Sequence, residues 1–230
     1  MYKINIGGGF MKITYLGHSA FEIRTNKDCI IIDPYLVCSP NYNYNDVTNI
    51  FVTHGHGDHL GSAFNISRKT NAPITAIFEL ANYCSANKVR ANGVGLGAWI
   101  NYSFGRVIFV PAFHSSSAPD GTYTGCPAGI IFEIEGKRIY HAGDTCLNSE
   151  MKVIKEVYKP DVVMLPIGGV YTMDVEAANI AAKWLDAPIV IPMHYNTFEA
   201  ISANITLFNK LITEQGKKAK IMPVGDVLEI

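Results

Sequence analysis

The sequence gathers metal-ligating side chains in one short string, Thr53-His54-Gly55-His56-Gly57-Asp58-His59-Leu60-Gly61. Three histidines and one aspartate lie within six residues, directly after an apolar run. A hydrophobic core would not accept so many unpaired polar groups. Imidazole suits Zn, Fe, Mn and Ni, and carboxylate favours harder ions. The string therefore predicts a metal site.

The spacing within this string indicates two ions rather than one. Residues two apart on an extended segment face the same way, so we expect His54 and His56 to reach one ion together. Asp58 and His59 follow one turn later and can reach a second ion. The glycines at positions 55 and 57 let the backbone turn closely around the site.

Four ligands from one loop do not complete two metal spheres, so further ligands are expected from later strand ends. Three runs offer them: Val110–Ser115 contains His114, Tyr140–Thr145 contains Asp144, and Pro192–Asn196 contains His194. Each ligand follows an apolar strand-like run and precedes small or polar residues. Functional groups usually occupy such positions on a rigid scaffold.

The elements that must position these ligands are alternating strands and helices. The Cys-Ile-Ile-Ile-Asp run at 29–33 predicts a strand buried on both faces, closed by Pro34. Asp174 is placed to cap a helix whose apolar face contains Val175, Ala178, Ala182 and Leu185. We also predict strands at Lys12–Leu16, Ala20–Arg24 and Lys220–Met222, and helices at Glu79–Arg90 and Ser202–Gln215. Two strand-rich halves, each followed by helices, indicate two packed sheets with helices outside, of α/β or α+β class.

Composition limits the class of protein. The 230 residues fit one domain, 1–230, in which residues 1–10 are a leader or extra segment. A net charge of -1 leaves no basic excess for a nucleic-acid backbone, so no nucleic-acid partner is expected. The five cysteines contain no Cys-x-x-Cys pair and fit a reducing, cytoplasmic compartment. No apolar stretch is long enough to suggest a membrane span.

With these motifs in order, the chain resembles the metallo-β-lactamase superfamily from Lys12 to Ile230. Within it, the chain is most similar to the small metal-dependent hydrolases related to ascorbate-6-phosphate lactonase and to the phospholipase D that cleaves N-acyl phosphatidylethanolamine. Three runs carry this resemblance: Tyr15-Leu16-Gly17-His18-Ser19, His141-Ala142-Gly143-Asp144-Thr145, and Pro192-Met193-His194-Tyr195-Asn196. The resemblance implies an α/β fold, a four-layer αβ/βα sandwich of two mixed β-sheets with the site at one edge.

The resemblance also implies a role for each ligand. It assigns His54, His56 and His114 to a first metal, Asp58, His59 and His194 to a second, and Asp144 to both. Two divalent ions, with Zn expected and Mn, Fe or Ni as alternatives, would activate a bridging hydroxide. The expected substrate is a small-molecule phosphodiester, lactone or related ester. The alternatives are a nuclease of the same superfamily and a non-catalytic metal-binding protein.

Several other residues are weaker candidates for the site. His18, in a turn, is predicted to line the site as a proton donor or substrate contact, with a structural role as its alternative. His141, three residues before Asp144, is predicted to be a proton donor or a residue that supports the metal ligands, unless it faces the other side of the sheet. Asp58 is also predicted to orient the nucleophile. Asp33 is expected to hydrogen-bond a ligand histidine, whereas Asn196 is either a substrate contact or a turn residue. Ser115–Ser117 and Tyr171–Met173 are expected to line the pocket, and the aromatic Trp99–Phe104 run to pack a core or a homo-oligomer interface.

Overall fold

The computed structural model describes residues 11–230; the leader or extra segment predicted at residues 1–10 lies outside the described residues. The strands are β1 (Lys12–Gly17), β2 (Ala20–Arg24), β3 (Cys29–Ile32), β4 (Asn49–Phe51), β5 (Ile74–Ile77), β6 (Ala91–Val94), β7 (Ile100–Tyr102), β8 (Gly105–Pro111), β9 (Ala128–Ile134), β10 (Lys137–His141), β11 (Val162–Pro166), β12 (Ile189–Met193), β13 (Lys218–Ala219) and β14 (Val227–Glu229). The helices are α1 (Gly57–Leu60), α2 (Ala63–Thr70), α3 (Phe78–Ala86), α4 (Glu150–Tyr158), α5 (Val175–Leu185) and α6 (Ile205–Glu214).

These strands form two seven-stranded mixed sheets, ordered β14-β1-β2-β3-β4-β5-β6 and β13-β12-β11-β10-β9-β8-β7. In the first sheet, three antiparallel pairs from β14 to β3 are followed by three parallel pairs from β3 to β6. In the second sheet, three antiparallel pairs from β7 to β10 are followed by three parallel pairs from β10 to β13. The two halves therefore repeat one topology, which no sequence repeat indicates.

Strand β3 shows how the two sides of a sheet are buried. Ile30 and Ile32 belong to the core between the sheets, whereas Cys29 and Ile31 pack in a second cluster on the outer face. All four side chains are almost completely inaccessible to solvent. The continuous apolar run at 29–33 therefore marks a strand buried on both faces, as predicted.

Helices cover the outer face of each sheet. Leu60 of α1, Ile66 of α2 and Leu80 of α3 pack in the outer cluster of the first sheet. Met151 of α4 and Phe208 of α6 belong to the main core with the strands of the second sheet. The predicted four-layer αβ/βα sandwich is thereby confirmed. Among the described residues, no helix is long and apolar enough to cross a membrane.

Helix α5 forms as the sequence predicts. The side chain of Asp174 accepts a hydrogen bond from the backbone N–H of Ala177 at 2.8 Å, which satisfies a free amide of the first turn. The apolar face is buried against the sheet; it comprises Val175, Ala178, Ala181, Ala182 and Leu185.

Some predicted elements are wrong or incomplete. Residues 220–222 are not in a strand: β13 ends at Ala219, and the edge strand β14 begins only at Val227. The helix predicted at Glu79–Arg90 is the shorter α3, and the chain then enters β6, which pairs in parallel with β5. Short edge strands depend on pairing with distant segments, and local sequence carries little of that information.

Candidate metal centre

The predicted ligands meet where several strands end at the same edge of the sandwich. Residues 53–59 follow β4, and His114, Asp144 and His194 follow β8, β10 and β12. Strands β8 and β10 run in the same direction because each is antiparallel to β9, and β12 is parallel to them through β11. Their carboxyl ends therefore converge on the loop that carries the His-x-His-x-Asp-His string.

The first group of ligand atoms belongs to His54, His56 and His114, whose atoms lie within 4.8 Å of one another. The Nε2 atom of His54 is 2.9 Å from Nδ1 of His56. The Oδ2 atom of Asp144 approaches Nε2 of His114 at 3.5 Å and Nε2 of His54 at 4.0 Å. Three imidazoles and one carboxylate thus point into one small space.

The second group consists of Asp58, His59 and His194, together with His18, and again spans no more than 4.8 Å. Asp144 also borders this group, with Oδ1 at 3.2 Å from Nε2 of His59 and Oδ2 at 3.1 Å from Nε2 of His194. Asp58 Oδ2 lies 3.6 Å from the same His194 nitrogen. The Asp144 carboxylate therefore stands between the two groups.

Several of these atoms are buried and lack a hydrogen-bond partner: Nε2 of His59, Oδ1 of Asp144 and both ring nitrogens of His194. They lie close to one another, but without the geometry of hydrogen bonds. An unsatisfied buried polar atom is unfavourable by about 1–3 kcal/mol. Cations placed among the three atoms that face the centre, Nε2 of His59, Nε2 of His194 and Oδ1 of Asp144, would satisfy these atoms together. The residues present therefore fit a metal centre.

The directions in which the pKa values of these residues are shifted agree with a metal centre. Burial opposes a charged imidazole, yet the Asp144 and Asp33 carboxylates raise the pKa of His59 well above 6.5. Burial would likewise raise the pKa of Asp144, but His59 and His194 hold it well below 3.8. At His54 burial prevails and lowers the pKa well below 6.5. The carboxylates stay ionised, and the centre favours positive charge between them.

Asp33 and Thr53 connect the two groups through hydrogen bonds to the Nδ1 atoms of His59 and His54. Asp33 is fully buried, and its Oδ2 accepts hydrogen bonds from Nδ1 of His59 at 2.7 Å and from Oγ1 of Thr53 at 2.7 Å. Its Oδ1 accepts the Thr53 backbone N–H at 2.8 Å. Because the Thr53 hydroxyl donates to Asp33, it accepts from Nδ1 of His54 at 3.1 Å. Both rings thus direct Nδ1 to a fixed acceptor and turn Nε2 toward the centre.

His18 and His141 occupy different surroundings. The Nε2 atom of His18 lies 3.1 Å from Asp58 Oδ2, and its Nδ1 lies 3.0 Å from Oγ1 of Thr197. His141 is completely buried; its Nε2 donates to the Ser19 carbonyl at 2.9 Å and its Nδ1 accepts the Gly143 N–H at 3.2 Å. Burial lowers the pKa of both rings, although Asp58 acts against this at His18 and Asp33 at His141.

A cavity of about 280 Å³ opens onto the two groups. Ser115 and Tyr171 line it, which places one residue from each predicted pocket loop at the site. The remaining lining residues are His56, Asp58, His114, Asp144 and His194. Asn196 is not among the residues that line this cavity; its backbone adopts a φ of 55° and its Oδ1 accepts the Ala203 N–H, as expected of a turn residue. Its role as a substrate contact stays a prediction.

Gly55 explains how the ligand loop packs so tightly. A Cβ atom at this position would lie 2.1 Å from Oγ1 of Thr124, inside any permitted contact. Thr124 in turn hydrogen-bonds Ser116, whose hydroxyl accepts the Gly55 N–H at 3.2 Å.

Sequence reasoning missed Thr53 and Thr197 as neighbours of the site. Only Thr53 carries a local signal, since it directly precedes His54.

Comparison with known proteins identifies the class to which this fold and cluster belong. A family described as the beta-lactamase superfamily domain matches residues 12–194, more than half of the chain. The chain belongs to this superfamily, as one of its metal-dependent hydrolases.

Particular relatives cover nearly the whole chain. UPF0173 metal-dependent hydrolases of Bacillus cereus and Bacillus anthracis are each 42% identical, over 96% of this chain and 100% of the relative. The structure of Igni18, a metallo hydrolase of the archaeon Ignicoccus hospitalis, is 35% identical with a TM-score of 0.88, over 96% of this chain and 98% of that one. A putative metal-dependent hydrolase of Parabacteroides distasonis is 26% identical with a TM-score of 0.73, over 93% of each chain.

Proposed function

We propose that this chain is a binuclear hydrolase that cleaves a phosphodiester, a lactone or a related ester of a small molecule. One observation carries the proposal: two groups of ligand atoms, each within 4.8 Å, lie on either side of one shared carboxylate, Asp144. A shared carboxylate between two sets of imidazoles suits a pair of divalent ions about 3.5–4 Å apart.

The ligands divide according to the two groups. The first ion would be held by His54, His56 and His114, the second by Asp58, His59 and His194, and Asp144 would contact both. Mixed nitrogen and oxygen donors suit Zn, and they also accept Mn, Fe or Ni. When bound, such a pair supplies a Lewis acid and lowers the pKa of a water to near neutrality.

The protein's own contribution is orientation. Asp33 and Thr53 fix the tautomers of His59 and His54, as their hydrogen bonds require. The His56 ring lies with Nε2 at 3.5 Å from the Ser115 hydroxyl, which turns Nδ1 toward the first group. The Asp58 side chain, 28% exposed, faces the cavity, where it would also accept a hydrogen bond from the attacking water.

The contacts of His141 suit a role in positioning the backbone around the centre. The proton-donor role of His141 stays a prediction. Both of its ring nitrogens bind backbone groups, and the ring is inaccessible to solvent. Its two hydrogen bonds join the turn after β1, at Ser19, to the turn that carries Asp144, at Gly143. We infer that His141 holds these two turns at a fixed separation.

The cavity supports a small substrate. Its volume of about 280 Å³ is at the lower end of small-molecule sites. Histidine and aspartate dominate the lining, and neither lysine nor arginine is among the described residues that form it. A nuclease needs cations along a polynucleotide backbone, so this alternative has less support. A purely metal-binding role has less support as well, because Asp58 and Asp144 face an open cavity.

The experiment combines metal analysis with hydrolysis of simple esters. The protein, purified without chelator, should contain about two metal ions per chain, the number typical of such centres. It should hydrolyse bis-p-nitrophenyl phosphate or one of a panel of lactones, and a chelator should abolish this activity. Asp144→Ala should lose both metal and activity.

Asp186→Ala is the matched control, because Asp186 is 53% exposed and binds Lys155 and Lys217 on the surface. This variant should keep both metal and activity. A wild-type protein that binds no ion after reconstitution with Zn, Mn, Fe and Ni would contradict the proposal. An Asp144→Ala variant with unchanged metal content would contradict the ligand assignment.

A further inference from the structure

We propose that His18 is an additional protein ligand of the second metal, alongside Asp58, His59, Asp144 and His194. This inference rests on the proposed binuclear centre and adds to it a residue from a different turn. The Nε2 atom of His18 already belongs to the group of ligand atoms that spans no more than 4.8 Å.

The backbone holds His18 in an unusual conformation at this position. Its φ is 56°, in the left-handed region where histidine is uncommon and glycine would be easier to accommodate. The His18 carbonyl accepts the backbone N–H of His194 at 2.8 Å and the hydroxyl of Tyr15 at 3.1 Å. The backbone of one ligand histidine thus directly fixes the backbone of His18, and the His18 side chain is buried.

Thr197 is placed to support the tautomer of His18 that metal binding needs. Its Oγ1 lies 3.0 Å from Nδ1 of His18 and accepts the Nδ1–H in the proposed arrangement. Nε2 of His18 then carries a lone pair at 3.1 Å from Oδ2 of Asp58, so both atoms can bind the same cation.

A comparable arrangement holds at two of the candidate ligand histidines. His59 donates its Nδ1–H to Asp33 and His54 donates its Nδ1–H to Thr53, so each ring directs Nε2 to the centre. An outward N–H with a fixed acceptor is the usual support of a metal-bound imidazole. His141 lacks this pattern, because its Nε2–H donates to the Ser19 carbonyl. The structure thus separates the two histidines that the sequence treats alike as proton donors.

The competing role for His18 is to position Asp58 without touching metal. In that case Nε2 would carry the proton and donate to Asp58, and Nδ1 would accept a hydrogen bond from Thr197. The two roles differ in whether Nε2 is bonded to the ion, which is directly measurable by NMR.

The experiment uses the full chain loaded with an NMR-active cadmium isotope in place of the native ions. Through-bond coupling correlates each cadmium resonance with the imidazole protons of its ligands. With seven histidines in the chain, we expect two resonances coupled to six imidazoles in all. One resonance should couple to three rings that include His18, and His18→Ala should remove one of these correlations. The variant should also weaken cadmium binding at that site by more than the roughly 10–100-fold that follows the loss of an outer hydrogen-bond partner.

Thr197→Val is the second variant, since it keeps the ring and removes only the acceptor of Nδ1–H. It should retain all six correlations and weaken binding by about 10–100-fold, the usual effect of losing the hydrogen-bond partner of a metal-bound imidazole. If His18→Ala does not fold, the number of imidazole rings coupled to cadmium in the wild-type protein, six or five, decides by itself. Two resonances coupled to five rings without His18, or to six rings that include His141, would overturn the inference and leave the binuclear centre intact. Fewer than two bound ions, or fewer than five coupled rings, would instead refute the proposed function and with it this inference.

Discussion

Replacing Asp33 by asparagine keeps the size of the side chain but removes one acceptor from a fully paired network. If the amide oxygen takes the Oδ2 position, the amide NH₂ faces the backbone N–H of Thr53, which donates to Oδ1 of Asp33 at 2.8 Å. If the amide is flipped, the NH₂ faces the two groups that donate to Oδ2 of Asp33, Nδ1–H of His59 and the hydroxyl of Thr53, each at 2.7 Å. Either orientation leaves at least one buried donor without an acceptor. Asparagine tolerates the left-handed φ of 44° as well as aspartate does, so the backbone adds no further strain.

The size of the effect follows from this geometry. One unsatisfied buried donor should lower the free energy of unfolding of the metal-free protein by about 1–3 kcal/mol. The loss of a carboxylate behind a ligand histidine should weaken metal binding by about 10–100-fold. Because Asp33 supports His59 directly and His54 only through Thr53, metal binding at the second group of ligand atoms should weaken more than at the first.

The assay pairs urea unfolding of the metal-free protein with a metal titration against a competing chelator. Asp186→Asn makes the same chemical change at an exposed carboxylate and should alter unfolding by no more than about 1 kcal/mol. An Asp33→Asn protein that matches wild type in both measurements would refute the reasoning, because the buried network would then contribute nothing to the site.

Three further perturbations test other parts of the structure. Gly55→Ala forces a Cβ into the ligand loop and should destabilise the protein by about 1–3 kcal/mol, whereas Gly95→Ala, with nothing within 4 Å, should change thermal stability little; equal effects would argue against the tight loop. At Glu22, burial is outweighed by hydrogen bonds from Arg24, so its pKa lies below 4.5. Glu22→Gln should therefore lower the free energy of unfolding most at neutral pH, and the difference should shrink as the pH falls below 4.5; a gap independent of pH in urea titrations would contradict this. Tyr171 is 60% exposed and lines the cavity, so we expect it to contact the substrate of the proposed hydrolase. Tyr171→Ala should then raise KM with little change in kcat, and an unchanged KM would exclude the contact.

The identities of the candidate ligands could be predicted because their signal is local. The density of histidine and aspartate in residues 54–59 has few explanations other than metal binding, and the structure brings this string together with His114, Asp144 and His194. The helix capped by Asp174 is predictable for a similar reason, since the cap and the apolar face both lie within one short segment.

The grouping of His18 with the second set could not be predicted in this way. Its neighbours, Asp58 and Thr197, are 40 and 179 residues away along the chain. No periodicity records such contacts, and a lone histidine in a turn looks the same whether it is structural or functional. The topology that the two sheets share could not be predicted from the sequence either. It consists of strand pairings, and no repeated residues accompany it.

The contacts around the centre show why its geometry depends on the sandwich as a whole. The His194 N–H binds the His18 carbonyl, and the His141 ring binds the Ser19 carbonyl, so both bonds cross from the second sheet to the first. The Ala128 N–H of β9 likewise binds the carbonyl of Thr53, just before the ligand string. Each ligand group combines residues that follow β4 of the first sheet with a histidine that follows a strand of the second sheet. Packing of the apolar core between the sheets therefore sets how closely the ligands of each group approach one another. A change in that packing would alter metal binding without touching a single ligand.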